Sequence, residues 1–153
     1  MGSPRWLNDE ERRAWLSFLA AASLLDRHLD QQLHRDAGLS HLQYVILARL
    51  SDAPDREMQM GELSAALLEP RPKLTYHVDQ LVRKTLVVRR TCPGDRRSVY
   101  AVLTDAGQRA LERAAPGHVA DVRESFIDVL TREQITAVAD GLGEIARRLR
   151  DRG

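Results

Sequence analysis

The chain has 153 residues, 43% of them hydrophobic, and a formal net charge of +1, enough for one domain with a modest core and too few for two. Its single cysteine, Cys92, argues against an internal disulfide or a thiolate metal cluster. The opening stretch MGSPRWLNDEERRAW lacks an apolar core, and no segment approaches the ~18 apolar residues of a membrane span, so a cytoplasmic chain is expected. Charge is distributed unevenly. Residues 1–70 carry 7 Lys/Arg against 11 Asp/Glu, residues 71–97 carry 8 against 2, and residues 98–153 carry 8 against 9. One window thus holds the positive field, as a local polyanion-binding surface would.

In chain order, Asp9 to about Leu33 reads as a helix. Trp15, Phe18, Leu19, Ala22, Leu25 and Leu29 recur at three- and four-residue spacings, a face for a core or a partner. Gly38 ends this region, and Ser40 can cap a second helix carrying Leu42, Val45, Ile46 and Leu50. Ser51–Gln59 reads as a connector, and a short helix at 60–68 follows with Leu63, Ala66 and Leu67 inward. Pro70 and Pro72 mark a break and a helix start. The basic helix at 71–84 then has Leu74, Val78 and Leu81 as its apolar stripe.

After Leu86 the period changes to that of strands. LVVRR and VYAVL fit an antiparallel hairpin closed by the loop TCPGDRRS, with Val99, Ala101 and Leu103 on one side. Thr104 can cap a long helix that Ala115–His118 would kink or break. Thr131 and Gln134 have capping-box spacing and open a final helix to about Arg150. Three compact helices and a two-stranded hairpin describe a mainly α winged helix-turn-helix. The terminal helices, too apolar on one face to stay solvated alone, are expected to pack against a second subunit.

In that geometry the second helix of the helix-turn-helix enters the major groove. Arg71, Lys73, Tyr76 and Gln80 are its candidate DNA contacts, and Thr75 either joins them or bonds its own backbone. His77 lies beside the apolar stripe and reads as a packed histidine. The hairpin becomes a wing: Pro93-Gly94 turns the chain, and Arg96 or Arg97 reaches the minor groove while the other meets phosphate. Asp95 is expected to pair with an arginine and hold it in place. Arg89 and Arg90 should point to opposite sides, so that at most one faces the DNA backbone.

The array GELSAALLEPRPKLTYHVDQLVRKTLVVRR…GDRRSVYAVLTDAGQRAL resembles the winged-helix segment of the multiple-antibiotic-resistance regulators, the MarR family. Asp95-Arg96-Arg97 followed by Val102-Leu103-Thr104 and Gly107 carries the resemblance most strongly. Leu74-Thr75…Val78-Asp79…Leu81…Leu86-Val87 supports it, as does Leu39-Ser40…Gln43-Tyr44…Leu47…Leu50. The resemblance spans roughly residues 10–150. It implies one regulator domain over 1–153, with dimerisation helices at 9–36 and 109–150 around a DNA-binding lobe at 39–108. It further implies a homodimer on a pseudo-palindromic double-stranded operator, repression, and release by a small phenolic or anionic effector. Thr85 stands where the family usually has glycine, and Pro70 where a small polar cap is common.

Trp15, His41, Tyr44 and Arg49 are the candidate effector-pocket residues. His28, His34, His41 and His118 lack metal-ligand spacing, and no metal or cofactor is expected. No phosphate loop, nucleophile elbow or HExxH occurs, so an enzyme is not expected. The alternatives are a winged-helix protein-interaction module, against which the charged window argues, and a redox-responsive regulator using Cys92.

Overall fold

A computed structural model describes residues 4–152. Two units make up the chain, the first ending at His118 and the second beginning at Val119. The first contains α1 (Asp9–Ala37), α2 (His41–Asp52), α3 (Met60–Leu67) and α4 (Arg71–Arg83). It also contains strands β1 (Glu57–Gln59), β2 (Val87–Cys92) and β3 (Asp95–Leu103), and most of α5 (Asp105–Val122). The second contains the end of α5, a wide turn at Arg123–Ile127, and α6 (Arg132–Arg150).

Helix boundaries follow local chemistry. Asn8 and Glu11 bond reciprocally at the start of α1, and Ser40 with Gln43 and Thr131 with Gln134 do the same for α2 and α6. Gly38 closes α1 at φ 65°, a backbone that glycine enters without a Cβ penalty. Thr104 Oγ1 accepts the Gly107 N–H at 3.0 Å and opens α5. In contrast, α4 starts without a side-chain cap, because Pro70 occupies the cap position.

The core lies in the first unit. Ile46, Leu47 and Leu50 of α2 pack with Leu63 of α3, Leu74, Val78 and Leu81 of α4, and Val87 and Ala101 of the sheet, all fully buried. Each large side chain buried this way stabilises the fold by about 1.5–3 kcal/mol. On the upstream part of α1, Trp15, Leu16, Phe18 and Leu19 remain exposed.

Two expectations are corrected. The connector Ser51–Gln59 ends in a strand: Glu57, Met58 and Gln59 pair antiparallel with Val102, Ala101 and Tyr100. The sheet therefore has three strands in the order β1-β3-β2; three residues are too short to display a period of two. Nor does Ala115–His118 break α5, which runs through Pro116 to Val122. Proline there removes one backbone hydrogen bond, and the irregularity falls later, where Asp128 N–H reaches Arg123 C=O at 2.7 Å.

Thr85 adopts φ 61° at the exit of α4, the left-handed backbone that a β-branched residue resists. The turn is held from both sides. Thr85 C=O accepts from Thr104 Oγ1 at 2.8 Å, and Thr104 N–H donates to Leu86 C=O at 3.1 Å. Gly107 presses on the same junction, where a Cβ would collide with the Leu86 carbonyl oxygen. Thr85→Gly should therefore stabilise the chain by about 1 kcal/mol, raising Tm by about 2–4 °C, whereas Gly107→Ala should lower it; thermal denaturation of both variants checks this.

Candidate nucleic-acid interface

Burial of Leu74, Val78 and Leu81 at 0% exposure determines which side of α4 faces outward. Arg71, Lys73, Thr75 and Tyr76 are exposed, and Gln80 is half-buried. Lys73 Nζ pairs with Glu69 at 3.1 Å one turn earlier. Tyr76 is 58% exposed and meets the His77 ring edge-on at 5.2 Å, rather than lying across the apolar stripe. His77 is half-buried, as expected, with Nδ1 3.5 Å from Ser40 Oγ. Burial, aided by the Lys73 charge, lowers its pKa and favours the neutral ring.

Gln80 is tied inward. Its Oε1 accepts from Gln43 Nε2 at 2.6 Å, and its Nε2 donates to Tyr76 Oη at 2.9 Å. Gln43 is itself buried and holds the N-terminus of α2 through its Oε1, which accepts the Ser40 N–H at 3.1 Å. The Ser40-x-x-Gln43 spacing could have revealed that cap; its link to residue 80 had no sequence signal. Nearby, Lys84 Nζ donates to Gly38 C=O at 2.5 Å. His34, Gly38, Gln43, Gln80, Arg83 and Lys84 line a cleft of about 380 Å³.

The hairpin of β2 and β3 turns at Pro93-Gly94, with Gly94 at φ 90°, as a type II turn requires. Asp95 also departs from expectation. Its carboxylate accepts from Ser98 Oγ at 2.8 Å and Arg97 N–H at 3.0 Å, a local turn instead of an arginine pair. These hydrogen bonds, the Ser98 hydroxyl foremost, hold its pKa below the usual 3.8. Among the described residues, no acidic side chain makes an ion pair with Arg96 or Arg97, and both are exposed.

Arg89 and Arg90 are engaged differently. Arg89 pairs with Asp79 on α4, joining wing and helix. Arg90 grips Glu57 of β1 through Nε at 3.1 Å and Nη2 at 2.5 Å, and lies 4.5 Å above the Tyr100 ring. Both guanidinium groups therefore have partners inside the fold. Cys92 is half-buried, 4.0 Å from Arg90 Nη1.

The four candidate effector residues do not form one cluster. His41 and Tyr44 meet the buried His118 at ring distances of 5.5 and 4.3 Å, and His41 Nδ1 lies 3.0 Å from Asp26 Oδ1. Burial raises the Tyr44 pKa. Trp15 instead meets Phe18 at 6.2 Å, and Arg49 is exposed on α2.

A short helix, a basic second helix and an antiparallel hairpin with an arginine tip define a winged helix-turn-helix. The MarR family profile matches residues 37–98. Among solved structures, the chain is similar to Sco3205, a MarR family transcriptional regulator from Streptomyces coelicolor in complex with DNA. The two share 41% identity and a TM-score of 0.90, with 94% of each chain covered. AbsC, a MarR family regulator from the same organism, shares 36% identity and a TM-score of 0.89, covering 97% of this chain and 99% of its own. The transcriptional repressor YetL of Bacillus subtilis (strain 168) is 30% identical over 125 residues, 80% of this chain and 72% of YetL. The chain belongs to the MarR family of DNA-binding transcriptional regulators.

The geometry of Asp95 makes the wing tip sensitive to acid. Because its folded pKa lies below 3.8, its stabilising contribution is full above that value and disappears as pH falls through the folded pKa. An NMR titration should place the Asp95 carboxyl midpoint below 3.8, with Arg97 amide exchange accelerating in the same range; a midpoint at or above 3.8 contradicts the assignment.

Proposed function

We propose that the chain is a homodimeric repressor that binds a pseudo-palindromic DNA operator and releases it when a small anionic or phenolic ligand binds. The observation that carries the DNA reading is the pairing pattern of the basic window, with its 8 Lys/Arg against 2 Asp/Glu. Arg89 and Arg90 are neutralised inside the fold, while Arg96 and Arg97 project from the turn that Asp95 organises. This favours Arg96 and Arg97 as the wing contacts, one to the minor groove and one to phosphate. Arg89, Arg90 and Asp95 then act by shaping the wing. The exposure of Arg71, Thr75 and Tyr76 on α4 supports their assignment to the major groove, with Lys73 assigned to a phosphate.

A dimer is supported by the apolar residues left exposed on two helices. Trp15, Leu16, Phe18 and Leu19 lie on α1, and Leu142, Ile145 and Leu149 on α6. Apolar side chains left exposed along one side of a helix in this way mark protein interfaces. Repression is supported by the likeness to YetL, a transcriptional repressor. An anionic effector is supported by the cleft beside Arg83 and Lys84, whose cations would favour a carboxylate. Among the described residues, no helix is long and apolar enough to cross a membrane.

Arg97→Ala should weaken binding to the chain's own upstream duplex by about 1–3 kcal/mol without changing the mass measured by sedimentation equilibrium. Unchanged affinity would remove Arg97 from the interface, and a monomeric wild-type chain would contradict the dimer. Lys73→Ala should weaken all duplexes alike and reduce the slope of log affinity against log salt by about 1; a sequence-selective loss in the same titrations would instead make Lys73 a base reader.

A further inference from the structure

We propose that buried Gln43 acts through Gln80 to fix the hydrogen-bonding polarity of Tyr76, making its hydroxyl a donor to an acceptor on a DNA base edge. The proposal rests on the DNA-binding reading above and adds a specificity mechanism to it. Its basis is a chain of hydrogen bonds whose direction is set at one end. Ser40 N–H can only donate, and it donates to Gln43 Oε1 at 3.1 Å. That orients the Gln43 amide, whose nitrogen must face the other way. Gln43 Nε2 then donates to Gln80 Oε1 at 2.6 Å, which orients the second amide in turn. Gln80 Nε2 donates to Tyr76 Oη at 2.9 Å. Tyr76 Oη therefore accepts a hydrogen bond from the protein side, and its own O–H is left to point outward.

The arrangement differs from that of a solvent-exposed tyrosine, whose hydroxyl can donate or accept as its partner requires. Tyr76 is 58% exposed on the outward side of α4, while Gln43 is only 3% exposed. Turning Gln43 around would set its NH₂ against the Ser40 N–H and its oxygen against the Gln80 oxygen. Both contacts are repulsive, so the backbone donor at Ser40 and the buried position of Gln43 favour one orientation. In the major groove, a fixed donor selects guanine O6 or N7, thymine O4, or adenine N7, and opposes the amino group of cytosine. Gln43 and Gln80 are positioning residues in this scheme; Tyr76 is the group that touches the base.

The relay can be reversed without removing it. In Gln43→Glu, one carboxylate oxygen still accepts from Ser40 N–H, and the other must accept from Gln80. Gln80 then turns its nitrogen toward residue 43 and its oxygen toward Tyr76, so the phenol donates inward and offers a lone pair outward. Gln80→Glu reaches the same result independently: its carboxylate accepts from both Gln43 Nε2 and Tyr76 O–H. Added negative charge would weaken binding to every duplex, but only reversed polarity changes which base is preferred.

The test begins by selecting duplexes from a random pool with the full-length wild-type chain. Affinities are then measured on a panel carrying each single base-pair replacement. Tyr76→Phe should lose about fivefold in preference at one position per half-site while keeping the remaining order. Gln43→Glu and Gln80→Glu, verified as folded by circular dichroism, should shift preference at that same position toward a base presenting an amino group. The proposal is overturned if Tyr76→Phe weakens all duplexes equally, as loss of a phosphate contact would. It is also overturned if both glutamate variants keep the wild-type preference. Failure of the wild-type chain to select any duplex would instead bring down the DNA-binding reading on which the relay rests.

Discussion

The burial of one stripe on α4 determines what the rest of the surface can do. Leu74, Val78 and Leu81 have no exposed area, and they meet core residues from α2, α3 and the sheet. Rotating the helix to present another side would expose three large apolar side chains, at a cost of about 1.5–3 kcal/mol each. Helical geometry then leaves Tyr76 near the middle of the outward face, flanked by Pro72 and Gln80 one turn away on either side. The outward face is therefore specified by the inward one. Since Pro70 provides no side-chain cap, packing has the larger part in holding the start of this helix.

Net charge along the sequence overstates the field available to a partner. Within residues 71–97, Lys73, Arg89 and Arg90 are paired with Glu69, Asp79 and Glu57. Two of those acids, Glu57 and Glu69, lie outside the charged window. What remains is a more localised distribution, with Arg71 on α4, Arg83 and Lys84 at its end, and Arg96 and Arg97 on the wing. Arg90 contributes mechanically: it joins Glu57 on β1 to Tyr100 on β3 from its own place on β2. Arg89 performs the corresponding task between β2 and α4. Such exposed pairs contribute little to stability individually; here their value lies in fixing where the wing sits beside the helix.

Much of this organisation was legible in the sequence because it is local. The caps at Ser40, Thr104 and Thr131, the stripe on α4 and the Pro93-Gly94 turn all follow from neighbours within a few residues. The winged-helix order and the family resemblance followed from their succession. Long-range partners were not legible. Gln59 pairs with Tyr100, and Gln43 bonds Gln80 across 37 residues, without any periodic mark in either segment. Asp95 was misread for a different reason: an aspartate beside two arginines suggests an ion pair, but its own backbone turn offers closer donors. In α5, the packing of Leu111 and Ala114 accompanies a helix that continues past the proline expected to interrupt it.

The same distinction explains why Thr85 can occupy a backbone that favours glycine. Its left-handed turn is fixed by contacts drawn from beyond the hairpin: Thr104 bonds residues 85 and 86, while Gly107 admits the Leu86 carbonyl. These contacts over-determine the turn and can sustain local strain of about 1–3 kcal/mol. Their position matters because the turn connects the last residues of α4 to the first strand of the wing. A change in its angle would move α4 and the wing relative to each other, even if neither lost a contact within the fold. Strain at Thr85 is thus tolerated by a junction whose geometry sets the spacing between helix and wing.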